Sequence, residues 1–122
     1  MSSCGVPLDP GNHFFNIKYD YMEILENEMY DDYATEFQFE MIKLLNETLR
    51  KHNIPLETRK EICGDFTFDF SMLIDQGEIN DTVPKVTFYK EDEKKLHIGS
   101  ATFDFHDYAF GNTDAVFEEE EE

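Results

Sequence analysis

Residues 58–77 have the sequence TRKEICGDFTFDFSMLIDQG, and this segment decides the fold. Thr58 is followed three residues later by Glu61, a spacing that predicts a capping box at the start of a helix. Gly77 predicts the end of that helix, in the left-handed conformation that glycine adopts at low cost. Between these signals, apolar residues recur at every fourth position. They are Ile62, Phe66, Phe70 and Ile74. We therefore predict an amphipathic helix over residues 58–76.

A strand is the alternative structure for part of this segment. Residues 66–72 alternate between apolar and polar side chains, which is a strand pattern. Gly64 also lowers the stability of a helix by about 1 kcal/mol relative to Ala. The length of the segment favours the helix, because strands rarely run this long. In that helix Phe68 and Met72 lie off the main apolar stripe, so they need a second surface, from a sheet or from a partner.

The segment that precedes it predicts a second long helix, over about residues 33–52. Its apolar stripe consists of Phe37, Met41, Leu44, Leu45 and Leu49. Asn53 is suited to a left-handed helix end, and Pro55 prevents the helix from continuing. Because few residues separate the two helices, we expect an antiparallel helical hairpin.

The remaining segments complete an α+β prediction. Breaker residues at 1–16 predict an irregular arm, and the spacing at 21–30 predicts a short helix before the hairpin. Alternation at 83–90 and 96–105 predicts two strands joined by a charged turn. A second turn is predicted at Gly111 and Asn112. We expect a small antiparallel sheet near the C-terminus, with the helices packed on one of its faces.

The 122 residues predict one domain, at 1–117, followed by an acidic tail of five glutamates at 118–122. Like charges in this tail predict disorder or weak helicity. No run approaches the roughly 18 apolar residues that a membrane span needs. Cys4 and Cys63 are interpreted as unpaired thiols, which indicates a reducing cytoplasm. Because Cys63 falls on the apolar stripe, we interpret it as a core residue.

Net charge is the most informative property for function. The 28 acidic and 10 basic residues give −18, and −13 remains when the five glutamates of the tail are removed. A charge of this sign argues against binding to nucleic acids or anionic membranes. It favours encounter with a basic protein. Solubility alone is the competing explanation.

Acidic residues and tyrosines alternate near the start of the long helix, and ion pairs with aromatic anchors suit Lys and Arg. We predict partner contacts at Asp31, Asp32, Tyr33, Glu36 and Glu40. The function that we expect is a cytoplasmic, non-catalytic module of the immunity or inhibitor kind, which neutralises a basic protein partner. The comparison with immunity and inhibitor proteins depends on the net charge and the size of the chain.

An enzyme is the alternative. Asp104 and His106 share one face of the predicted strand, and His97 is a further candidate, so a carboxylate and imidazole could bind a metal or act as a base. No spacing matches an established metal motif, and we predict neither a metal nor a cofactor. The competing interpretation of these residues is that they lie on the ordinary solvent-facing side of a strand.

A further alternative is that the chain is a subunit of a larger assembly and uses Phe68 and Met72 as its interface. Monomer and homodimer both remain open.

Overall fold

The structure is a computed structural model that describes residues 22–99 and 104–121. Its helices are α1 (Met29–Lys51), α2 (Leu56–Gln76) and α3 (Ala109–Glu121), with a 3₁₀ helix at Phe105–Tyr108 before α3. Its strands are β1 (Glu23–Glu26), β2 (Phe88–Lys90) and β3 (Lys95–Ile98). The α+β class and the helical hairpin of α1 and α2 are confirmed. The predicted irregular arm at 1–16 lies outside the described residues.

The sheet is mixed, which corrects the prediction of an antiparallel sheet. Its order is β1-β3-β2: β2 runs antiparallel to β3, whereas β1 runs parallel to it. The predicted short helix at 21–30 is wrong, because residues 23–26 form β1 and pair with 95–98. A local capping signal cannot report a partner strand that lies this far along the chain.

The predicted signal at the end of α1 is present, whereas the start and end of α2 follow different signals from those expected. Asn53 does adopt the left-handed conformation, with φ 62°. However, α2 begins at Leu56, two residues before Thr58 and directly after Pro55, and no side chain caps it. Gly77 is extended and not left-handed. A Cβ atom there would clash with the carbonyl oxygen of Leu73, so close approach, and not a positive φ, requires the glycine.

The buried faces of both hairpin helices are rotated from the predicted stripes. In α1 the buried residues are Tyr30, Ala34, Gln38, Ile42 and Asn46. In α2 they are Arg59, Cys63, Gly64, Thr67 and Ser71. These residues are smaller or more polar than the predicted ones, and small side chains allow the helices to approach closely. The predicted stripe residues Phe66 and Leu44 are consequently exposed.

The last third of the chain also differs from the prediction. Gly111 and Asn112 lie inside α3, so the predicted turn there is wrong. Helix α3 continues to Glu121 and includes residues that we assigned to the acidic tail. Asp104 and His106 belong to the start of the 3₁₀ helix and do not lie on a strand. The division of the chain into a domain and a tail remains a prediction.

Helix α3 completes the main hydrophobic core. Val116 and Phe117 pack with Ile42 of α1 and Cys63 of α2. Gly64 allows α3 to approach α2 closely, because a Cβ atom at this position would lie 3.1 Å from the Phe110 ring. A second cluster, formed by Tyr30, Ala34 and Phe105, lies where α1 meets the sheet.

Candidate functional site

The acidic residues predicted to bind a partner lie on the exposed side of α1. Asp31, Asp32, Glu36 and Glu40 are all exposed, whereas Tyr33 is half-buried. The ring of Tyr33 packs against Phe88 and His97, at centroid distances of 6.0 and 5.0 Å. Four of the five predicted residues therefore share an accessible surface, and Tyr33 instead joins α1 to the sheet.

Two of these carboxylates border an open depression on α1. Asp32 and Glu36 line it together with Thr35 and Phe39, and its volume is about 460 Å³. Phe39 packs its other side against the core. Lys43 lies nearby, with its Nζ 5.5 Å from the Phe39 ring centroid and 3.7 Å from Glu40. We name the surface formed by Asp31, Asp32, Glu36 and Glu40 the acidic face.

A second group of polar side chains forms where α2 ends. One oxygen of Asp75, one oxygen of Asp104 and one ring nitrogen of His106 lie within 4.8 Å of one another. Asp75 accepts hydrogen bonds from the backbone N–H groups of Phe105, at 2.9 Å, and His106, at 2.8 Å. It thereby satisfies two donors at the start of the 3₁₀ helix, as an N-terminal cap does.

Asp75 also fixes the orientation of the His106 ring. Its Oδ2 accepts a hydrogen bond of 2.6 Å from Nδ1 of His106. This hydrogen bond raises the pKa of His106, and it outweighs burial, which acts in the opposite direction. The other ring nitrogen, Nε2, lies 3.5 Å from Oδ1 of Asp107.

The structure thus brings together Asp104 and His106, as predicted, but His97 is not in their group. His97 is buried on β3, with Nδ1 3.4 Å from Oδ1 of Asn27. Its Nε2 has no hydrogen-bond partner among the described residues. Asp75 was not predicted as a member of the cluster, because it lies about thirty residues before His106 and no spacing rule links the two residues.

A cavity of about 400 Å³ lies on the other side of Asp75. Tyr30, Val86, Lys85 and Phe105 contribute to its walls. The Tyr30 hydroxyl donates a hydrogen bond of 2.7 Å to the Val86 carbonyl oxygen. Burial raises the pKa of Tyr30, and the negative charge of Asp75 adds to this shift. No sequence signal marked this cavity, because its residues come from five separate segments of the chain.

Cys63 is a core residue, in agreement with its interpretation from sequence. It is fully buried beside Ile42 and Val116. Burial raises the pKa of its thiol to about 11, so the reactive thiolate is scarce near neutral pH. This environment gives Cys63 no role as a nucleophile.

Comparison with protein-family models, with curated proteins and with solved structures gives no match for this chain. Among the described helices, none is long and apolar enough to cross a membrane.

Proposed function

We propose that this chain is a small cytoplasmic protein-binding module that recognises a basic protein partner through the acidic face of α1. The observation that carries the proposal is the depression that Asp32, Glu36 and Phe39 all line. Two carboxylates around an aromatic ring suit a Lys or Arg side chain, which gains ion pairs and contact with the ring. The neutralisation of a partner, as by an immunity or inhibitor protein, is one use of such a surface.

Charge supports the proposal at longer range. The net charge of −18 accelerates encounter with a positively charged surface, and added salt weakens this effect. Tyr33 is not needed for direct contact in this proposal, because it packs on the sheet. Its expected role is to hold the first turns of α1 in place beneath the acidic face.

The first experiment is a pull-down from native extract at low and at moderate salt, with bound proteins identified by mass spectrometry. We expect a stoichiometric basic partner that is retained at low salt and weakened by added salt. The double variant Asp32→Lys and Glu36→Lys should slow association on the order of tenfold and flatten its salt dependence. The matched control is Glu78→Lys with Asp92→Lys, which reverses two exposed charges elsewhere. Equal effects of the two double variants would contradict the placement of the site.

A second candidate function is metal binding, with or without a hydrolase-like activity, at Asp75, Asp104 and His106. The specific observation is the hydrogen bond from Nδ1 of His106 to Asp75. A metal-bound histidine commonly donates one ring N–H to a carboxylate in this way, which leaves its other ring nitrogen to bind the metal. Asp104 is exposed and would supply an oxygen ligand.

Metal content measured after tag-free purification tests this second candidate. We expect bound metal to be lost in His106→Ala and in Asp104→Asn. The controls are His52→Ala and Asp92→Asn, since both residues are exposed and lie outside the cluster. If the protein acquires no metal when divalent cations are added, the candidate is excluded and the cluster is a structural cap.

A further inference from the structure

One apolar side of the helical hairpin is left uncovered by the residues that the structure describes. On α2, Phe66 is 50% exposed and Leu73 is 43% exposed, and the Phe66 ring stacks on Phe70 at 6.0 Å. On α1, Leu44 is 71% exposed and Phe37 is 40% exposed. Several large apolar side chains thus remain partly in water on the two longest helices, which is unusual for scattered surface positions.

These side chains lie on the same side of the hairpin. Gln38 bonds Ser71, and Asn46 bonds Arg59, so these pairs mark the line along which the antiparallel helices meet. Counted around each helix at 100° per residue from that line, the apolar side chains of α1 and α2 point to one side, with Leu44 and Leu73 at its outer edges. The residues are Phe37, Met41, Leu44, Ile62, Phe66 and Leu73. We name this surface the apolar face.

Helix α3 covers the opposite side of the hairpin. Its Phe110 packs over Gly64 of α2, and its Glu120 bonds Asn46 of α1. Counted around α2 at 100° per residue, Gly64 is displaced from the meeting line in the direction opposite to the apolar face. The sheet adjoins one end of the apolar face, where Phe37 contacts Phe88 at 5.8 Å.

Carboxylates border the apolar face. Glu40 lies beside its α1 half, and Asp65 and Asp69 lie beside its α2 half; all three are exposed. An apolar centre with anionic borders is complementary to an amphipathic helix that carries Lys or Arg beside its apolar stripe. A second copy of this chain would place carboxylates against carboxylates, with −18 on each copy.

We propose that the apolar face binds a cationic amphipathic helix of a protein partner. This inference rests on the proposed function, since it concerns the same class of basic partner. It adds that the contacting segment of the partner is a helix, and that the apolar face is a second contact surface. Glu40 belongs to the acidic face and also borders the apolar face. One helix-bearing partner can therefore contact both surfaces.

The test uses the full chain and a synthetic helical peptide of Leu and Lys, with Leu at helical spacing. A peptide with Glu in place of Lys is the control. We expect the Lys peptide to shift backbone amide NMR signals of the apolar face, and to remain bound at moderate salt. Leu44→Ser and Phe66→Ser should each weaken binding on the order of tenfold, by loss of apolar burial. Val83→Ser, at an exposed apolar residue elsewhere, should leave binding unchanged.

Other outcomes separate this inference from the proposed function. If the peptide shifts only signals around Asp32 and Glu36, and Leu44→Ser binds normally, the inference is overturned while the proposed function stands. If neither surface responds and the pull-down retains no basic protein, both are overturned. A homodimer in sedimentation that Leu44→Ser disrupts would assign the apolar face to a second copy, and would also overturn the inference.

Discussion

Asp75 and His106 form the shortest link between the end of α2 and the 3₁₀ helix, with Oδ2 and Nδ1 2.6 Å apart. The same carboxylate accepts two backbone N–H groups at the first residues of that helix. Asp75 therefore determines both where the 3₁₀ helix begins and how the His106 ring is oriented. This link also makes the stability of the fold depend on the protonation of His106.

Asp75→Asn should lower the pKa of His106, because the hydrogen bond from His106 to Asp75 is the main cause of its rise. In the wild type, the raised pKa stabilises the fold fully below the usual value of 6.5, and this contribution is lost as pH rises through the folded-state pKa. Urea unfolding across this pH range should show the loss in the wild type and not in the variant. NMR titration of the ring protons measures the pKa directly.

Asp69→Asn is the matched control, since it removes an exposed carboxylate from the same helix. A His106 pKa that falls equally in both variants would assign the shift to general charge and not to the hydrogen bond.

Glu120→Ala should destabilise the fold by about 2–3 kcal/mol, because it leaves the buried guanidinium of Arg59 without its counter-ion. Glu120 also accepts from Asn46 at 2.6 Å and pairs with Arg50 at 2.8 Å. Thermal unfolding of Glu120→Ala beside Glu118→Ala, an exposed neighbour, measures the difference. If the two variants unfold alike, the network does not contribute to stability.

Acid should weaken the same network. The hydrogen bond from Asn46, followed by the interactions with the two arginines, lowers the pKa of Glu120 despite some burial. Its contribution is present above the usual value of 4.5 and is lost as pH falls through the lowered pKa. We expect Glu120→Gln to lose less stability than the wild type over that acidic range, as measured by chemical denaturation. A parallel loss in both proteins would contradict this assignment.

Gln38→Leu should cost about 2–3 kcal/mol, because three buried or half-buried polar groups lose a partner. The Gln38 amide donates to Ser71 at 3.0 Å and to the Phe105 carbonyl at 3.2 Å, and its oxygen accepts from Asn112 at 2.7 Å. Ser71→Ala should cost less, since Gln38 keeps two of these partners. Denaturant unfolding of both variants checks the order; the reverse order would show that the network is not centred on Gln38.

Cys63 should resist thiol reagents in the folded protein. Its burial and its pKa of about 11 both suppress the thiolate. In a Cys4→Ser background, labelling should become rapid only when denaturant unfolds the chain. Rapid labelling under native conditions would show that the core around Ile42 and Phe117 opens readily.

The sequence predicts those parts of the fold that depend on local signals. Asn53 and Pro55 separate the two long helices as expected, because a left-handed residue and an imide ring act on their immediate neighbours. Thr58 does not cap α2, because Pro55 already provides a helix start at Leu56.

The buried stripes were predicted on the wrong faces because apolar character was taken as a measure of burial. Thr67 and Ser71 are buried, whereas the larger Phe66 is half exposed. Gln38 satisfies Ser71, and this contact depends on a residue more than thirty positions away. Likewise, Asp104 and His106 were recognisable as a cluster, but Asp75 was not.

The parallel pairing of β1 with β3 also has a consequence for the order of folding. Glu23 pairs with Lys95, a separation of about seventy residues, while the hairpin of α1 and α2 forms between neighbours in the chain. Closing such a long loop costs entropy before any strand contact forms. We expect the hairpin to form early and β1 to join the sheet last. As an edge strand of four residues, β1 should also exchange its amide hydrogens faster than the hairpin does.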